Sequence, residues 1–353
     1  MMDELGALTD AVRDVCRRHG GPATVRDAVT RPGRYDDALW QTLATQIGVA
    51  ALAIPEEYDG AGATVRESAA VLEVLGETLS PVPVLSSAVL ATGTLLAAGD
   101  DDACARLLPA LAAGETRASV CWAGPAGWQS PGVEAEAGLL TGTAEYVIDG
   151  ESADTFLVLA GGGDRITLHL VAADTPGITV SPLPVLDATR PLARVQFDQV
   201  PSETIPAPAD LADRLRTLAW ALLSAEQVGG AARALALTVE HTSSRKQFGR
   251  ELATFQALKH TMADMYVLVE TMRSISAAAV DAVAAGASNA AELAAAAHVY
   301  CSEGFVTVTG EAIQLHGGIG ITAEHDIGLF FKRAQADAQL FGAPHTAAAI
   351  IPV

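Results

Sequence analysis

Three cations stand within six residues at Arg245-Lys246-Gln247-Phe248-Gly249-Arg250, in a chain of 353 residues whose 22 Lys+Arg face 42 Asp+Glu, a formal charge of −20. Such a cluster is suited to holding an anion: Arg245 offers a planar fork that matches a phosphate, and Gln247 adds an amide. The same charges would also complement the negative end of the helix they follow, whose last turn lies near Thr242-Ser243-Ser244. A second segment is Gln314-Leu315-His316-Gly317-Gly318-Ile319-Gly320-Ile321-Thr322. Paired glycines let a backbone approach a ligand closely, and successive N–H groups make a nest for pyrophosphate or ribose oxygens. A glycine cap and turn is the plainer account. The segment follows a helix ending near Glu311 and no strand, so a Rossmann site is not indicated. His316 reads as a packing or backbone-bonding residue before an acid or base.

These residues need a scaffold, and composition supplies one. Hydrophobic residues make up 50% and charged ones 18%, more apolar than a disordered chain, while 5% aromatic and many alanines favour closely packed helices. The acidic balance excludes a nucleic-acid binder held by bulk charge. No run of about 18 strongly apolar residues occurs, and Met1-Met2-Asp3-Glu4 is acidic where a signal peptide would be basic. A soluble cytoplasmic protein with no membrane partner is the expectation. Cys16, Cys104, Cys121 and Cys301 lack metal or disulfide spacing and are expected to be free and buried.

Periodicity divides the chain into helices, strands and helices. Leu72, Leu75 and Leu79 place a helix over 64–79, stopped by Ser80-Pro81, after a loop at Ile54 to Gly62. Short β-branched runs separated by Gly, Pro and Asp fill 118–206 and predict an antiparallel β-domain. Helical signals return with Leu215, Leu218 and Leu222, then over 257–285 and 290–308. The expected domains are 1–117, 118–206 and 207–353, an α+β architecture.

Arg-Lys-Gln-Phe-Gly at 245–249, Phe-Gln-Ala-Leu-Lys at 255–259, Met-Ala-Asp-Met at 262–265 and Gln-Leu-His-Gly-Gly-Ile-Gly at 314–320, in that order, resemble the acyl-CoA dehydrogenase family. Ile54 to Gly62 resembles the family's Pro-Glu-x-x-Gly-Gly-x-Gly loop. The resemblance implies an N-terminal helical domain, a middle β-domain and a C-terminal four-helix bundle. It further implies FAD, α,β-desaturation of an acyl-CoA thioester, and electron-transfer flavoprotein as acceptor. By it, Arg245, Gln247, Phe248, Gln314, Leu315, Gly317 and Gly318 contact the nucleotide end of FAD.

The other half of the family's site is not recognisable. The catalytic Glu has two family positions, and they fall here at Gly342 and, twenty-six residues before Arg245, at Ala219. The flavin-ring motif is matched by Cys121-Trp122-Ala123-Gly124-Pro125-Ala126-Gly127-Trp128-Gln129-Ser130, with Ala and Trp in place of hydroxyl donors, and the strand backing the flavin is replaced by 151–156. Trp122 and Trp128 are expected in the β-domain core, with cover of a vacant pocket as the alternative. The asymmetry predicts a non-catalytic partner in an α2β2 heterotetramer, of the kind this family uses on steroid side-chain thioesters. One rival is a homomeric enzyme with a displaced base, Glu226 or less favourably Glu240; Glu226 lies about 10 Å along the helix from Ala219. The other is a flavin-free scaffold.

Overall fold

Local caps start three helices of the first third. The structure, a computed structural model, describes residues 2–19, 21–162 and 165–351. It opens with α1 (Met2–His19), α2 (Pro22–Ala28), α3 (Asp37–Thr42), α4 (Val65–Thr78), α5 (Thr92–Ala98) and α6 (Asp101–Ala112). Asp36 accepts from the Leu39 N–H and Asp100 from the Ala103 N–H, while Thr64 and Glu67 close a reciprocal capping box ahead of α4. Each cap satisfies donors that the first turn leaves bare. Residues Ile54 to Gly62 form the expected loop, interrupted by one turn at Glu56–Tyr58.

Eight strands follow: β1 (Ala118–Cys121), β2 (Val133–Glu136), β3 (Leu139–Ile148), β4 (Thr155–Gly162), β5 (Arg165–Ala172), β6 (Ile178–Pro182), β7 (Leu192–Pro201) and β8 (Glu203–Ile205). They form one sheet in the order β6-β7-β3-β2-β4-β5-β8, with β1 beside β4. The sheet is mixed where an antiparallel one was expected, because β1 and β2 run parallel to β4. Tight turns join only antiparallel neighbours, and the long passage from Cys121 to Thr155 is what lets the chain return parallel. Alternation along β7 buries Ala193, Val195 and Phe197, the last two in a core with Phe156, Val158 and Leu140.

The last third is helical: α7 (Leu211–Ser244), α8 (Gln256–Ala284), α9 (Ala290–His316), α10 (Ile327–Asp337) and α11 (Pro344–Ala348), with a small hairpin of β9 (Lys246–Gln247) and β10 (Arg250–Glu251) between α7 and α8. Helices α7 to α10 pack as a bundle, and α4 lies against α7. That crossing is backbone on backbone. A Cβ on Gly76 would sit 2.1 Å from the Glu226 carbonyl oxygen and one on Gly229 1.8 Å from that of Glu73, so only glycine fits either place. Helix α9 continues past its expected end near Glu311, since nothing breaks it before Gly317; Gln314 and Leu315 are therefore helical. The four cysteines are free and buried, as expected. Among the described residues no helix is long and apolar enough to cross a membrane.

Candidate functional site

The cation cluster projects from the end of α7. The Arg245 N–H donates to the His241 carbonyl and its own carbonyl accepts from Leu252, both at 2.9 Å, so the backbone is pinned. Its side chain is exposed and makes no ion pair among the described residues. Phe248 and Gly249, with φ 54° and 77°, make the two-residue turn between β9 and β10, the backbone sense that matches strand twist. Phe248 is 90% exposed there. Gln247 is exposed, donating only to the Lys246 carbonyl at 2.9 Å, and Arg250 lies over the Phe255 ring at 3.8 Å.

The glycine segment meets this corner through a stack. His241 and His316 have ring centroids 4.4 Å apart, which joins the end of α7 to the end of α9. Gln314 is exposed, whereas Leu315 is buried in the helix packing. Gly317 caps α9 at φ 63°, ψ −143°, a region essentially closed to other residues. A Cβ on Gly317 or on Gly318 would meet nothing within 4 Å, so the backbone here faces open space. The structure thus brings Arg245 and the Gly317-Gly318 pair to one side of the bundle. His316 bonds the Ala312 carbonyl through Nδ1, the backbone-bonding role expected of it.

At the opposite end of α7 the surfaces are closed. Trp122 stacks on Phe341 at 5.8 Å between centroids, Trp128 meets Phe341 edge-on at 5.0 Å, and the two indoles are 5.5 Å apart. Tyr146 adds a fourth ring against Trp128 at 6.0 Å. These tryptophans do not simply fill the β-domain core; they seal it against the C-terminal segment. The void left among Ser86, Leu90, Trp122, Trp128, Leu215 and Phe341 is about 10 Å³, room for at most one water. The 340–342 turn is held on both carbonyls: the Trp220 Nε1–H donates to Phe341 at 3.2 Å and the His298 Nε2–H to Gly342 at 2.8 Å. Burial pushes the His298 pKa down to about 4 against that hydrogen bond. The imidazole is therefore neutral and stacks on Trp220 at 5.4 Å. Phe341 and Gly342 both take positive φ, 61° and 106°. Ala219 is fully buried.

Glu226 is not available as a base. It is buried and accepts from both Arg190 and Arg333, in a cluster that also holds Asp187 and Asp337. Two arginines there face three carboxylates, drawn from the β6–β7 connection, α7 and α10. Burial raises Asp337 to about 7 and nearby Asp149 to about 6; the Ser86 hydroxyl donates to Asp149 at 2.5 Å. A carboxylate that bonds two buried guanidiniums serves the packing of the elements it joins. Sequence reasoning missed this cluster, although Asp187-x-Thr189-Arg190 marks it: Thr189 and Arg333 bind Asp187 in turn. It also missed Phe341 as the partner of the two tryptophans.

Residues 2–115 match the model described as acyl-CoA dehydrogenase, N-terminal domain, and residues 218–351 the one described as acyl-CoA dehydrogenase, C-terminal domain. The chain is 39% identical to the acyl-CoA dehydrogenase IpdE2 of Mycolicibacterium smegmatis, over 98% of this chain and 96% of that protein. Among solved structures, a Gly-to-Ala variant of the Tcur3481-Tcur3483 steroid ACAD superposes with a TM-score of 0.91 at 29% identity, covering 98% of this chain and 96% of that one. The ChsE4-ChsE5 complex from Mycobacterium tuberculosis gives 0.89 at 29% identity, over 99% and 98%.

Proposed function

The chain belongs to the acyl-CoA dehydrogenase family, and from that membership we propose that it is the non-catalytic subunit of a heteromeric enzyme, holding the nucleotide end of an FAD whose flavin ring and catalytic Glu belong to a homologous partner chain. FAD is the cofactor of this family, and when bound it supplies the hydride acceptor. The residues that would hold its nucleotide are Arg245, Gln247, Phe248, Gln314 and the backbone from Leu315 to Gly318. The charged fork of Arg245 and the open glycine N–H groups suit a pyrophosphate.

The observation that carries this reading is the direct contact of Trp122 and Trp128 with Phe341. By the family resemblance the first of these segments binds the flavin ring and the second carries the base, so flavin and thioester would lie between them. With about 10 Å³ between them here, neither can enter. The base positions point the same way, since Ala219 and Gly342 carry no proton acceptor and Glu226 is ion-paired. The homomeric reading with Glu226 as base therefore loses its residue. A flavin-free scaffold would leave the unpaired Arg245 and the open glycines without a ligand. Exposed Tyr266 and Val267 on α8 and Tyr300 on α9 offer apolar surface for a partner to cover. Two relatives of comparable likeness bear the names of a complex and of a steroid ACAD, which supports a two-chain enzyme acting on a steroid-derived acyl-CoA; electron-transfer flavoprotein as acceptor, and the side chain as the site oxidised, follow from the family resemblance alone.

Purification alone and after co-expression with a Glu-bearing homologue tests it. The lone chain is expected to be colourless and inactive, and the pair to carry FAD and desaturate an acyl-CoA. A yellow, active preparation of the lone chain sinks the proposal. Native mass measurement with flavin counting gives the stoichiometry.

A further inference from the structure

His241, His316 and His325 come from three segments: the last turn of α7, the last residue of α9 and the loop before α10. Each offers one ring nitrogen, and the three nitrogens lie within 4.8 Å of one another. The His316 ring lies 4.4 Å from each of its neighbours, centroid to centroid. His316 is 5% exposed, and the 2.7 Å bond from its Nδ1–H to the Ala312 carbonyl leaves the lone pair on Nε2. That Nε2 is buried and has no hydrogen-bond partner. Native interiors rarely leave such an atom bare, because it has given up its bond to water for nothing. An imidazole anchored by a backbone carbonyl, with its other nitrogen aimed into a cluster of nitrogens, has the outer-shell arrangement of a metal ligand. Burial also keeps the ring unprotonated at neutral pH, so the lone pair is free.

We propose that His241, His316 and His325 form a site for a divalent first-row metal that prefers imidazole, such as Zn²⁺ or Ni²⁺, with water completing the coordination. The donor set has no oxygen, so Mg²⁺ and Ca²⁺ are excluded from it. His325 now accepts from the Ile327 N–H through Nδ1 at 3.2 Å. Ligation through its other nitrogen moves the proton to Nδ1 and releases that N–H at the start of α10. Arg245, which with burial and His325 lowers the His241 pKa, opposes a dication and limits affinity. Asp326 is committed to Arg26 at 2.6 Å. The metal would fasten the ends of α7 and α9 to the start of α10, directly behind Arg245 and Gly317. The site stands on these three side chains whether or not the corner holds FAD.

The test uses the full chain after treatment with EDTA. Titration with Zn²⁺ in a calorimeter is expected to give one ion per chain and a Tm that rises with Zn²⁺ concentration, while Mg²⁺ does neither. Co²⁺ in its place should develop the visible d–d absorption of a low-coordinate nitrogen site. His316→Gln should abolish that band, and His325→Gln, at a half-buried position where the amide oxygen can still accept from the Ile327 N–H, should lower Zn²⁺ affinity at least about tenfold. Absence of stoichiometric Zn²⁺ binding overturns the proposal, and so does binding of unchanged strength in folded His325→Gln.

Discussion

The corner that carries Arg245 and the interface that carries Phe341 are both built where helices end, and they are finished in opposite ways. At the corner, residues 243–250 are all exposed, the guanidinium is unpaired and the glycine backbone faces open space. At the interface, four aromatic rings interlock and both carbonyls of the turn are bonded to buried donors. The polar corner makes few contacts within the chain, and the proposed function assigns it a ligand from outside. The aromatic interface is ordinary core, at the place where the family resemblance expects the chemistry. The difference predicts that substitutions in the closed region move stability and leave ligand binding alone, with the reverse at the corner.

The largest effect is expected at the ion cluster beside the closed region. Arg333→Ala leaves Asp187 and Glu226 buried with a partner missing, and should cost about 3–5 kcal/mol of stability in urea denaturation. Flavin bound per folded complex should not change. If it falls in step with stability, the two regions are coupled and the contrast fails.

Arg245→Ala is the converse. Its exposed, unpaired side chain predicts a stability change within about 0.5 kcal/mol. Loss of a charge-assisted contact worth about 1.5–3 kcal/mol should weaken FAD retention in the co-expressed assembly about tenfold or more. Unchanged flavin content would remove Arg245 from the site.

The closed region should also set the pH response. Burial raises Asp149 and Asp337 to about 6 and about 7, above their unfolded range, so the stability they confer is complete in acid and is lost as pH climbs through those values. Burial lowers His298 to about 4, so its contribution is complete above the ordinary histidine range and is lost as pH falls toward 4. The slopes oppose each other across mildly acidic pH and should leave a plateau. Asp337→Asn removes one alkaline term. Its stability relative to the unsubstituted chain should rise between about pH 4 and pH 7 and then level, and a flat difference would show that Asp337 is ionised in the fold.

Much of this was legible in the sequence. Breakers and period located α4, α8 and the β-rich stretch within a few residues, because those signals are local. The exposed corner was legible as a place for the same reason, since Arg245 to Phe248 are contiguous and Gln314 to Gly318 sit at a helix end. What escaped required distant residues to meet. Trp122 and Phe341 are over two hundred positions apart, and nothing near either says that they stack. Glu226 read as a spare carboxylate until Arg190 and Arg333 arrived from other elements. The parallel pairing of β1 with β4 was hidden likewise, because alternation fixes a strand's faces and not its neighbour's direction.

The smallest effect sharpens the contrast most. Phe248 is 90% exposed at φ 54°, a conformation that suits Gly or Asn, and its ring touches the protein only edge-on at Phe255, 6.2 Å between centroids. Backbone strain there, about 1–2 kcal/mol, is offset by very little packing. A residue so poorly matched to its own chain's stability is expected to serve a contact made outside it. Phe248→Gly should leave the lone chain unchanged or more stable by up to about 1 kcal/mol, the relief of left-handed strain less the added freedom of the unfolded chain. In the co-expressed assembly the same substitution should loosen FAD or the partner, read as faster flavin release on dilution. A destabilised lone chain would mean that Phe248 belongs to the core side of the comparison, and that the corner is less purely an outward-facing surface than Arg245 makes it.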